Sequence, residues 1–130
     1  MNDIIAILKS KTIYNKRNKA NENDISLMES QLSVCFSVDY KLYLKEYGYI
    51  VYDGHELTGF CKVKRLNVVD VTLEEQSINP LVPTDWYVIE QLHIDGIVIW
   101  QTSTGEIYQT APAAKPKKIC DSLAEYIMLD

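Results

Sequence analysis

At 130 residues, with 47% apolar and 24% charged side chains, the chain has the length of one domain and the composition of a soluble globular protein, able to withdraw roughly two-thirds of its surface from water without help from metal or disulfide. No run approaches the ~18 apolar residues of a membrane span, and the opening MNDIIAILKSK lacks the basic start and long apolar segment of a secretory signal, so a cytoplasmic protein is expected. The net charge of −5 is segregated: residues 66 to 114 contain no Lys or Arg but do contain Asp70, Glu74, Glu75, Asp85, Glu90, Asp95 and Glu106, whereas residues 1 to 20 carry Lys9, Lys11, Lys16, Arg17 and Lys19 against Asp3 alone. An acidic field of this extent repels phosphates, which argues against nucleic acid as the main ligand and for a cationic partner.

In chain order, Ile4, Ile7 and Leu8 fall on one face of a short helix over residues 3 to 11. After the polar connector YNKRNKANEN, the stretch NDISLMESQLS sets Ile25, Met28 and Leu32 on one stripe, with Asn23 as the expected cap and Asp24 favoured in the first turn by the helix dipole. Ser37 is placed to cap the next helix, whose stripe is Tyr40, Tyr43, Leu44 and Tyr47 and whose stop is Gly48. The period then changes to two. Residues 49 to 52, the pair Asp53 and Gly54, and HELTGF form a hairpin, a device repeated by DWYVIEQLHI, Asp95 and Gly96, and IVIWQ. TSTG before EIYQT adds another strand of a meander. Between the hairpins, NVVDVTLEEQSINPLVPTD reads as a loop with a helical turn closed by Pro80 and Pro83, and APAAKPKK reads as a proline-interrupted loop. A last helix carries Ile119, Leu123, Tyr126 and Ile127 on one stripe. Helices, then antiparallel strands, then a helix give the α+β class, in a single domain over residues 1 to 130.

Candidate chemistry is sparse. HELTG departs from the zincin box because Gly59 stands where the second histidine belongs, and on a returning strand His55 and Glu56 point to opposite faces. The other histidine, His93, sits beside an Asp-Gly turn. Cys35, Cys61 and Cys120 are odd in number, and their gaps of 26 and 59 residues match no zinc or redox spacing, so free thiols in a reducing compartment are expected. There is no G-x-S-x-G elbow, and STGE has neither the Lys nor the strand-to-helix context of a phosphate loop. Glu74 and Glu75 diverge by about 100° on a helix and cannot share a proton. No enzyme, metal or cofactor is expected. Tyr40, Tyr43, Tyr47 and Tyr126 read as core. Tyr49 and Tyr52 lie on opposite faces of the first hairpin, so at least one is expected at the surface, and tyrosine beside carboxylate at Tyr52, Asp53 and Glu56 is a good interface composition.

The stretch ISLMESQLSVCFSVDYKLYLKEYGY resembles the SUKH superfamily, whose pattern is a helix I-x-x-x-E-x-x-L followed by a helix D-Y-K-x-x-L-x-x-Y-G. Ile25, Glu29 and Leu32 fit the first part; Asp39, Tyr40, Lys41, Leu44, Tyr47 and Gly48 fit the second. Val38 stands where the family usually has proline. ELTGF, VVDVTLEEQ, YVIEQL, TSTGEIY and ICDSLAEYI continue the likeness in order from about residue 20 onward. The resemblance implies an α+β fold and, as in most bacterial members, an immunity protein that binds and neutralises a polymorphic or contact-dependent toxin; a fungal regulator of cell-wall assembly shares the fold. The expectation is stoichiometric capture of a cationic, nuclease-type toxin domain by a monomer or weak homodimer, through Tyr49, Tyr52, Asp53, Glu56, Glu74, Glu75, Asp95 and Glu106, without direct contact to nucleic acid or membrane. The alternative is a non-enzymatic scaffold or regulatory module with a host partner.

Overall fold

A computed structural model describes residues 4–11, 13 and 19–129; Asp3, Lys16 and Arg17, used above, lie outside the described residues. Helix α1 (Ile4–Lys9) buries Ile4 and Leu8. Helix α2 (Glu22–Leu32) begins one turn's edge earlier than the sequence suggests: Asn21, and not Asn23, is its cap. The Asn21 side chain accepts the Asp24 N–H at 2.8 Å while the Asp24 carboxylate accepts the Asn21 N–H at 3.0 Å, so two amide donors of the helix start are satisfied reciprocally. Helix α3 (Val38–Glu46) is capped by Ser37, whose hydroxyl accepts from the Tyr40 N–H. Val38 occupies its first turn and is 77% exposed. That is where proline's fixed φ is favourable, and a solvent-facing valine replaces it without disturbing a contact.

Beyond Gly48, at φ 80°, the chain enters a six-stranded antiparallel meander in which strand order in space equals order in sequence. Its strands are β1 (Ile50–Tyr52), β2 (His55–Leu57), β3 (Tyr87–Gln91), β4 (Val98–Gln101), β5 (Ile107–Thr110) and β6 (Lys117–Cys120). Asp53 (φ 44°) and Gly54 (φ 81°) turn the first hairpin and Asp95 (φ 54°) and Gly96 (φ 68°) the second, the double positive φ that matches the twist of the flanking strands.

Three expectations need correction. The segment read as a loop with a helical turn contains α4 (Val68–Ile78), a full helix capped by the Asn67 side chain. The basic end of the proline-interrupted loop is strand β6, paired to β5 through Tyr108 and Lys118. Ile119 therefore belongs to β6, and the closing helix α5 is the short Leu123–Ile127, capped by Ser122.

Alternation along the strands divides the interior. Tyr87, Ile89, Ile99 and Ile107 face the main core with the apolar stripes of α1, α2, α3 and α5. Val88, Val98 and Trp100 face the other way, into a smaller cluster with Val71, Val82 and Trp86. Helix α4 stands at the edge that β3 exposes where short β2 ends. There the Thr72 hydroxyl accepts the Val88 N–H at 3.0 Å, and the Thr58 hydroxyl donates to the Val88 carbonyl at 2.7 Å.

Buried polar groups knit these layers. The Asp39 carboxylate accepts from the Leu123 N–H at 2.8 Å, from the Gln101 amide at 3.1 Å and from the Ser37 hydroxyl, tying α3 to α5 and to β4. Glu29 accepts the Phe36 N–H at 2.8 Å and lies 3.7 Å from Lys41, which fixes the link between α2 and α3. The charged residues of the helical motif thus hold the scaffold.

Candidate partner-binding surface

The first hairpin presents less than its sequence promises. Tyr52 is 1% exposed and Tyr49 9%, so neither tyrosine reaches the surface. The Tyr52 ring stacks on His55 inside the main core. Tyr49 is covered because the chain after β2 folds back: the Phe60 N–H donates to the Gly48 carbonyl at 2.8 Å, bringing Cys61 and Leu66 onto the tyrosine. Asp53 stays in water, 3.9 Å from Lys11. Glu56 is paired with Arg65 at 2.6 Å, a bonded pair that leaves little net field at this spot.

The acids after residue 66 separate into buried and exposed sets. Glu74 is exposed on α4, while its neighbour Glu75 points inward and is 8% exposed, the outcome of the 100° step between adjacent helical residues. Glu75 is held by neutral amides: Asn79 donates to one carboxylate oxygen at 3.2 Å and Gln91 to the other. Asp95 lies exposed in the second hairpin turn. Glu106 pairs with Lys118 at 3.2 Å, and Lys118 also pairs with Asp121 at 2.6 Å; these two carboxylates raise the lysine's pKa, that of Asp121 most strongly. Of the proposed contact residues, Glu56 and Glu74 are linked through Arg65, which pairs with Glu56 and, with Lys64, borders a small cleft of about 350 Å³ beside Asp70 and Glu74. Asp53, Asp95 and Glu106 belong to three separate turns.

Two features escaped the sequence reading. Glu90, on strand β3 beside Ile89 and Gln91, is 2% exposed. Its carboxylate meets His55 Nδ1 at 3.0 Å, accepts the Glu56 N–H at 3.2 Å and accepts the Tyr126 hydroxyl. Burial raises its pKa, and the bonds from Tyr126 and His55 oppose the rise. This acid, base and phenol come from β3, β2 and α5, and the carboxylate of Glu90 joins the other two. No pattern in the sequence joins the three positions.

The second feature is an apolar groove of about 700 Å³ on the sheet face away from α1, α3 and α5. Ile78, Leu81 and Val82 form one wall, Ile97 and Val98 the strand side, and the segment around Pro112 the other wall, with Glu75 at its border. Leu81 is 88% exposed and Ile78 64%. The signal in the sequence was NPLVPTD and APAAKP, two proline-bearing segments that read only as connections.

All three cysteines are free thiols, with Cys61 buried and Cys120 half-buried, its pKa raised first by burial. Among the described residues no group of three or more His, Cys, Asp or Glu side chains is placed to hold a metal ion, and no helix is long and apolar enough to cross a membrane.

No curated protein gives a significant match to the chain. A family model described as SUKH_5, SMI1-KNR4 cell-wall, matches residues 1–128, nearly the full length and every element described above. With its helical motif built into the scaffold and a meander closed by a C-terminal helix, the chain belongs to the SMI1-KNR4, or SUKH, family.

Proposed function

We propose that this chain is a cytoplasmic immunity protein that neutralises a cognate toxin domain, cationic and of nuclease type, by stoichiometric binding and without catalysis. The carrying observation is the one-sided charge of a family member: from residue 66 to 114 there is no Lys or Arg, and Asp70, Glu74, Asp85 and Asp95 are exposed with no ion pair among the described residues. Enzymes that act on polyanions carry positive surfaces, and an acidic binder is drawn to such a surface at long range. Since Glu75 is buried and Tyr49 and Tyr52 are covered, the steering falls to Glu74 and Asp95, with Asp53, Glu56 and Glu106 as partly neutralised contributors.

The test uses the purified chain as bait in lysate and secreted fractions of its source organism at low and high salt. The expected capture is one basic domain, bound one to one and inactive while bound. The double reversal Glu74→Lys with Asp95→Lys should then slow association about tenfold or more at low salt and flatten its ionic-strength dependence. A partner that keeps its activity in the complex, or an endogenous regulator in its place, would support the scaffold reading that the cell-wall description of the family also suggests.

A further inference from the structure

We infer that the groove between the 78–82 segment and Pro112 is a docking site for a partner segment that inserts a Lys or Arg between large aliphatic side chains. The inference rests on the protein-binding reading above only for the partner being a protein; its chemistry comes from the groove.

Among the described residues no helix lies over β4 and β5 on this sheet face: α4 stands beside β3, and the small apolar cluster is completed by Val82 and Trp86 from the connection after α4. What remains open is the concavity of about 700 Å³, within the range of sites that enclose several side chains or a small ligand. Ile78 and Leu81 line it and are 64% and 88% exposed. Proline at positions 80 and 112 in its walls restricts their backbone, so less freedom is lost when a partner settles there.

Glu75 decides the kind of occupant. It borders this apolar space and is 8% exposed, yet among the described residues its carboxylate is met only by the neutral amides of Asn79 and Gln91. An ionised carboxylate offers about four acceptor sites, and a buried charge with no opposite charge is costly. No cation among the described residues pairs with it. Lys115 also borders the groove but forms no ion pair with any described residue. A guanidinium or ammonium entering from a partner fills the remaining acceptor sites and cancels the charge, while its aliphatic neighbours cover Leu81 and Ile78. An acidic or purely aliphatic segment leaves Glu75 opposed or unanswered.

The experiment is selection of a phage-displayed random dodecapeptide library on the full chain, followed by titration of the enriched peptides. Expected are sequences with a Lys or Arg flanked by Leu, Ile, Val, Met or Phe. Their affinity should fall about tenfold or more for Glu75→Gln, which keeps side-chain size while removing the charge, and for Leu81→Asp, a change at an exposed position that leaves the fold intact. Circular dichroism and amide spectra of both variants verify folding. Enriched peptides without a basic residue, peptides that bind both variants as well as the parent, or no enrichment at all would overturn the inference. Because the selection needs no toxin, its failure leaves the immunity reading standing, and a failed toxin capture leaves the groove standing.

Discussion

Gly59, the last residue of HELTG, has no room for a side chain: a Cβ there would lie 1.7 Å from the Gly48 carbonyl oxygen. Its N–H donates to Leu66 at 2.8 Å and its carbonyl accepts from Val68 at 3.0 Å, so two distant backbone segments cross at this point and only glycine permits the approach. The box that resembles a metal motif is therefore a packing device. Beside it, Glu90 supplies a pH dependence. Burial raises its pKa, against the opposing bonds from Tyr126, His55 and the Glu56 N–H. His55 is the one base facing the carboxylate among the described residues. A raised native pKa means that the native state binds more protons than the unfolded chain. Its stabilising contribution is then complete below the unfolded carboxyl pKa and lost as pH rises through the native value. The parent should lose stability relative to Glu90→Gln as pH rises above the unfolded carboxyl pKa and through the raised native one, measured as urea midpoints from acid to alkaline pH. Parallel midpoints for the two proteins would remove Glu90 as the cause.

At the scale of elements, α4 has a specific duty. Strand β2 ends at Leu57, paired to Glu90, and the Val88 N–H beyond it would lack a partner without the Thr72 hydroxyl at 3.0 Å. Thr72→Val keeps the shape and removes the acceptor. It should cost about 1–3 kcal/mol, the penalty of a buried unsatisfied donor, and should speed hydrogen exchange at the Val88 amide more than at the Tyr87 or Ile89 amides. This helix was also the hardest element to read. Val68, Val69, Val71 and Thr72 are β-branched, a composition that suits strands, and Pro80 and Pro83 closed the window early. Tertiary contact with β3 overrides that local preference. By contrast α3 and both Asp-Gly hairpins were legible, because a serine cap and a turn requiring positive φ are local signals. Strand β6 was hidden because its Lys117 and Lys118 follow a proline and face solvent. The surface itself was the least legible part: what covers Tyr49 is a segment that folds back from residues 60 to 66, and what opens the groove is the meeting of two connections far apart in sequence.

For the whole molecule, the charge segregation of the sequence is reduced on folding but kept. Glu75 and Glu90 are withdrawn from the surface, and Glu56 and Glu106 have bases beside them. The sheet is open, with β1 and β6 as its edges. The first edge is three residues long and the second carries exposed Lys117 and Lys118, two means by which proteins discourage strand addition. The parent should sediment as a monomer, and Lys117→Thr with Lys118→Thr should self-associate with rising concentration; unchanged sedimentation of the double variant would assign the monomer to another cause. The order of the meander also has a temporal side. Each new strand emerging during synthesis finds its neighbour already made, so the ladder can extend step by step at small cost in loop entropy. The clasp between Asp39 and the Leu123 N–H spans 84 residues, and α5 follows all six strands in sequence. Until α5 has been made, part of the main core has no lid, and the helical face stays open while all six strands are already in place.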